Sequence, residues 1–225
     1  MSLYLYINLA ILIFPLLLSF ERRIKYYTKF KALVTATAIV AAIFIAWDAV
    51  ATLRGHWSFN PQYVLDFKVI GLPIEEILFF FTVPYSTLFA YEGLRYFIKD
   101  RKIKIPNVII YFFASLFFVL ALIFFSKEYT FLACLSVALT LLVTLKYFGQ
   151  LLSSRIYYLF ITFGVLVFLI FNYILTSIPV VEYSTLAITG FRVLTIPIED
   201  FMFNFSLLTL YLGFYTKFKI YFNLN

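Results

Sequence analysis

Pro73-Ile74-Glu75-Glu76-Ile77-Leu78-Phe79-Phe80-Phe81 sets two carboxyl groups at the mouth of an apolar run. Pro197-Ile198-Glu199-Asp200-Phe201-Met202-Phe203 does the same 124 positions later (73 to 197). At that offset and without gaps, Thr52 meets Thr176, Phe67 meets Phe191, Val69 meets Val193 and Tyr91 meets Tyr215, while Asp48 meets Asn172. Register kept across a helix, a connector and a second helix is the mark of an internal repeat.

Working outward, seven apolar stretches approach the roughly 20 residues that a bilayer requires: 3–20, 32–53, 72–98, 105–125, 129–148, 156–176 and 194–216. The expected architecture is an all-α polytopic membrane protein with seven transmembrane helices. Residues 1–100 form one three-helix repeat, 127–225 a second, and the span within 101–126 links them. An odd linking span makes the two repeats parallel, related by an axis along the membrane normal. Fourteen of the 18 Lys and Arg fall on one side of these spans, leaving Arg54, Lys68, Lys127 and Arg192 on the other. By the positive-inside rule the chain is a multi-pass cell-membrane protein, with its N-terminus outside and its C-terminus cytoplasmic.

Composition agrees. Of 225 residues, 64% are hydrophobic and only 13% charged, with mean hydropathy +0.99, against about 45–50% and 25% in ordinary soluble domains. The net charge of +7 belongs to residues flanking spans, so nucleic acid is excluded as a partner. One histidine (His56) and one cysteine (Cys134) cannot build a His/Cys metal site or a Cys–His dyad. The seven glycines are too widely spaced for a dinucleotide fingerprint or a P-loop. No metal site and no cofactor site is expected.

The carboxyls carry the remaining chemistry. A proline followed by acids in the first helical turn is also an ordinary helix start, favoured by the helix dipole. Inside a membrane, ionisable residues usually serve function. Adjacent helical residues diverge by about 100°, so one acid of each pair faces the bundle while its neighbour orients it. A carboxylic acid that keeps its proton at neutral pH is a competent donor. Glu75 and Glu199, at matched positions, are the first candidates for acid and base, with Glu76 and Asp200 as partners and Asp48 as a further catalytic candidate. Trp47, Phe79, Phe203 and Asn172 are candidates for lining a substrate cavity, where aromatic faces stabilise a developing cation. Glu92 is expected to pair with Arg95 or Tyr96. Glu21, Asp66, Asp100, Glu128 and Glu182 read as loop charges.

With these residues in view, the sequence resembles the integral-membrane lycopene cyclase family, in its fused two-subunit form. The likeness rests on Trp47-Asp48, Trp57-Ser58-Phe59-Asn60, Leu72-Pro73-Ile74-Glu75-Glu76 with Phe79-Phe80, and Ile196-Pro197-Ile198-Glu199-Asp200. The resemblance implies a non-redox, acid/base-catalysed cyclisation of lycopene end groups to β-ionone rings, towards β-carotene, with the substrate drawn from the bilayer. It leaves ring type, homo-oligomerisation and the division of acid and base roles open. Membrane prenyltransferases are excluded because no Asp-x-x-x-Asp pair is present to hold Mg²⁺ on a diphosphate. A membrane transporter or binding protein for a hydrophobic isoprenoid is the alternative.

Overall fold

The computed structural model describes residues 2–224 and is predominantly helical. Eight helices are present among them: α1 (Leu3–Leu18), α2 (Phe30–Leu53), α3 (Ile74–Phe97), α4 (Asn107–Ile123), α5 (Glu128–Tyr147), the short α6 (Gly149–Leu152), α7 (Arg155–Ser177) and α8 (Ile198–Tyr221). Each of the seven expected apolar stretches contains one long helix. Four helical segments are long and apolar enough to cross a membrane: Tyr26–Leu53, Ile74–Phe97, Glu128–Tyr147 and Arg155–Ser177. α1 and α4 are shorter apolar helices. α8 has the length, at 24 residues, but carries Glu199, Asp200, Asn204, Lys217 and Lys219 along it.

The helices are held by small residues and polar pins, as expected where lipid tails remove the hydrophobic drive between apolar helices. α2 buries Ala32, Ala36, Val40 and Phe44 at four-residue spacing, one stripe of the helix surface. α1 is pinned to α3 by Asn8, whose Nδ2 donates to the Glu75 carbonyl at 3.1 Å and whose Oδ1 accepts from Thr82 Oγ1 at 2.7 Å. Gly213 lets α8 meet the Phe148 ring, because a Cβ there would stand 2.4 Å from the nearest ring carbon. Phe, Leu and Val crowd the outward face of α4, with Val108 68% and Phe112 62% exposed, as suits a helix turned to hydrocarbon.

Packing follows a reciprocal scheme. α1 lies on α3 and α5 on α8, whereas α2 also packs on α8 and α7 on α3. The connectors match too. β2 (Lys68–Val69) pairs antiparallel with β3 (Leu72–Pro73), and β5 (Arg192–Val193) with β6 (Ile196–Pro197), in the same register. Their turns carry Ile70 at φ 49° and Leu194 at φ 58°, a left-handed conformation costing bulky residues about 1–3 kcal/mol. Each hairpin ends on the proline that opens α3 or α8. The Ile74 and Ile198 N–H groups then donate to the Phe67 and Phe191 carbonyls, both at 3.0 Å. β1 (Trp57–Phe59) pairs antiparallel with β4 (Val181–Tyr183), centred on Ser58 opposite Glu182, which are themselves 124 positions apart.

Candidate active site: a carboxyl chamber under the ribbon

Beneath the β1–β4 ribbon lies a chamber of about 80 Å³ lined by acids, tyrosines and rings. Three carboxyls reach it: Asp48 from the last turns of α2, Glu76 from the first turn of α3 and Asp200 from the first turn of α8. Residues distant in sequence therefore meet because α2 ends, and α3 and α8 begin, on the same level.

In the first half, the Trp57 indole N–H donates to Asp48 Oδ1 at 2.9 Å, and the Tyr4 hydroxyl donates to Glu76 Oε2 at 2.6 Å. Asp48 Oδ2 has no hydrogen-bond partner among the described residues, and the Asp48 and Glu76 carboxyls both face the chamber. Asp48 is 1% exposed, whereas Glu76 is only half-buried.

The second half is built differently. Asp200 accepts from the Tyr129 hydroxyl at 2.6 Å, the Tyr183 hydroxyl at 2.7 Å and Asn172 Nδ2 at 2.8 Å. Three donors on two oxygens suit an anion. Burial, and next the adjacent Asp200 charge, push the Tyr183 phenol well above its usual range, so it stays a neutral donor.

Glu75 and Glu199, the first sequence candidates, are fully buried but turn away from the chamber. Glu75 Oε1 accepts from Ser2 Oγ and from the Leu65 N–H, the latter at 2.8 Å. Glu199 Oε1 accepts from Thr130 Oγ1 at 2.6 Å and from the Thr189 N–H and Oγ1, both at 2.8 Å. Each one ties a connector to the start of its helix. The neighbours expected as partners, Glu76 and Asp200, are the ones facing the cavity.

Of the residues expected to line a substrate cavity, the structure places Phe79, Phe203 and Asn172 on the chamber wall and Trp47 off it. Trp47 packs behind it against Phe203, ring centroids 5.0 Å apart. Tyr4, Tyr129 and Tyr183 were not among the expected site residues, and Trp57 entered only through the family resemblance. The signal for Tyr4 and Tyr129 was present, since they stand 125 apart, one position off the repeat offset.

Two further clusters lie elsewhere. Glu128 is no isolated loop charge: it opens α5, accepts from Arg54 Nε at 2.8 Å and lies 2.7 Å from His56 Nε2. Glu92 makes its short contacts to Lys29 and Lys219, both at 2.6 Å, with Tyr215 at 3.0 Å, while Arg95 stands at 3.9 Å and Tyr96 makes no such contact. Sequence spacing offered only partners on the same helix. Among the described residues no group of three His, Cys, Asp or Glu side chains is placed to hold a metal ion.

The lycopene cyclase family model matches residues 1–94 and 126–218, which include every chamber residue and leave out all of α4. The chain belongs to the lycopene cyclase family. No curated protein and no solved structure matches it. A carotenoid cyclase must handle an apolar polyene, and the chamber combines acids with the rings of Phe79, Phe203, Trp57 and Tyr183.

Proposed function

We propose that this member of the family closes β-ionone rings on lycopene by acid/base catalysis without net oxidation or reduction, and that Glu76, Asp48 and Asp200 carry the chemistry. The supporting observation is two acids, Asp48 and Glu76, facing one ring-lined space with an Asp200 carboxyl held by three donors; like charges gathered there favour a proton on one of the acids.

In this reading Glu76, the half-buried member, donates a proton to one carbon of a terminal double bond, and the other carbon becomes a tertiary cation. The π pair of a neighbouring double bond forms the ring-closing carbon–carbon bond and moves the cation into the ring. Loss of a ring proton to Asp200 restores a double bond, so one proton enters and one leaves. Ring faces close to a desolvated cation each contribute up to about 2 kcal/mol, and the Asp200 charge adds to that. Asp48 positions the acid. Glu75 and Glu199 hold the connectors. No cofactor is invoked.

The same reading places seven spans in the cell membrane as two parallel three-helix repeats joined by α4, N-terminus outside and C-terminus cytoplasmic. The reciprocal packing, the paired hairpins and the two matched segments support it. A purely binding or transporting protein for an isoprenoid needs such a cavity, but acids gathered on its wall offer proton transfer that carriage does not need.

The test is expression in a bacterium that accumulates lycopene. Wild type is expected to convert lycopene to β-carotene in the pigment chromatogram. Unchanged lycopene, with the protein present in the membrane, would count against the function, and full conversion by Glu76→Gln would count against the acid.

A further inference from the structure

A linear polyene is far longer than the chamber, so the rest of the chain must leave it somewhere. Two apolar grooves run down the helix bundle. One lies between α1, α3 and α7 with a volume of about 290 Å³; the other, about 250 Å³, lies between α2 and α5. They are counterparts. Ala10, Ile11 and Phe14 of the first correspond to Leu135, Ser136 and Leu139 of the second at an offset of 125. Val167, Phe168 and Phe171 correspond to Ile43, Phe44 and Trp47 at 124.

Their connection to the chamber differs. The α1/α7 groove shares five walls with it: Phe79, Phe168, Asn172, Leu175 and Asn204. The α2/α5 groove shares none among the described residues. The cause is a ring plug: Phe44, Trp47 and Phe203 close on one another, with centroids 5.7 Å, 5.1 Å and 5.0 Å apart. On the open side the counterparts do not form such a cluster; Phe168 stacks edge-on to Phe201 at 5.0 Å instead.

The open groove is dry in character. Its two hydroxyls are satisfied within the bundle, Ser86 donating to the Ile11 carbonyl and Thr87 to the Val83 carbonyl, both at 2.8 Å. From Asn172 to Phe163 it follows α7 for nine residues, about 14 Å at 1.5 Å per residue, and its rim is open, with Phe14 65% and Phe163 40% exposed.

We propose that the α1/α7 groove is the one route by which a linear polyene enters from the lipid and lies during reaction, the α2/α5 groove being its plugged twin. The occupant follows from the function read above: an extended apolar chain whose terminal double bond must reach the chamber. Ala10 and Ala90 are then specificity-determining wall residues, and the Trp47 plug fixes the side of entry.

Ala10→Trp fills the open groove; Leu135→Trp makes the same change in the plugged one. Ala10→Trp is expected to lower lycopene conversion about tenfold or more through lost positioning, with Leu135→Trp within about twofold of wild type. A second readout does not depend on turnover or on a bulky residue being tolerated. Phe14→Cys in purified protein should be protected by added lycopene from a lipid-soluble maleimide, whereas Leu139→Cys should not, the unmutated chain with buried Cys134 serving as blank. Equal conversion by the two tryptophan variants, or equal protection of the two cysteines, would overturn the groove. Failure of wild type to convert lycopene would instead overturn the function, leaving the protection contrast to decide the groove.

Discussion

The two halves of the chamber place an acid on corresponding turns, yet surround it with opposite chemistry. Around Glu76 stands a second acid, Asp48; Tyr4 donates to Glu76, while Trp57 and, at 3.5 Å, Thr52 donate to Asp48. Around Asp200 the position of Asp48 is taken by Asn172, and Tyr129 and Tyr183, the latter the strand partner of Trp57, add their hydroxyls, so the carboxyl meets three donors. The repeat sets Asp48 against Asn172 and Phe59 against Tyr183, which exchanges a second acid for two donors and leaves the second half suited to a negative charge. In the proposed reaction the two like-folded halves supply the proton source and the proton acceptor that a cyclisation without redox change requires.

The comparison can be broken at several points. Glu76→Gln keeps the shape and removes the acid; pigment conversion is expected to fall about 10²–10⁴-fold, the usual worth of a positioned proton donor. Asp200→Asn removes the acceptor and the charge facing the cation, and the same chromatogram should show a loss of about 10²-fold. Asn172→Asp makes the second half resemble the first by setting a second acid beside Asp200 in place of a donor. Conversion is expected to drop about tenfold, and activity at the wild-type level would mean the asymmetry is incidental. Tyr183→Phe removes one of three donors and should cost about 0.5–1.5 kcal/mol, a few-fold in rate. Glu75→Gln acts on a connector tie: thermal unfolding in detergent should show about 1–3 kcal/mol of lost stability, while turnover of the folded fraction stays within about threefold of wild type.

How much of this could be read from sequence differs between fold and site for a physical reason. The helices announce themselves because a span in lipid needs an unbroken apolar run, and Phe79-Phe80-Phe81 or Val165-Leu166-Val167 can be little else. The Pro-Ile-Glu hairpin ends were visible because they occur twice. Which acid of each pair faces the cavity was not visible. Neighbours on a helix point about 100° apart, and the rotation that selects Glu76 over Glu75 is set by the hairpin at Lys68–Pro73 and by Ser2 and the Leu65 N–H. Nor could composition distinguish Trp57, whose N–H reaches Asp48, from Trp47, whose ring closes a groove. The same holds for Glu92, whose strong partners Lys29 and Lys219 come from 63 and 127 residues away.

Infrared difference spectroscopy on the purified protein at neutral pH reads the proposed proton directly, through the carbonyl stretch of a protonated carboxyl group. The expected result is one such band that disappears in both Glu76→Gln and Asp48→Asn but persists in Asp200→Asn. A spectrum in which neither of the first two changes alters that band, or in which Asp200→Asn alone removes it, would contradict a proton held between Asp48 and Glu76.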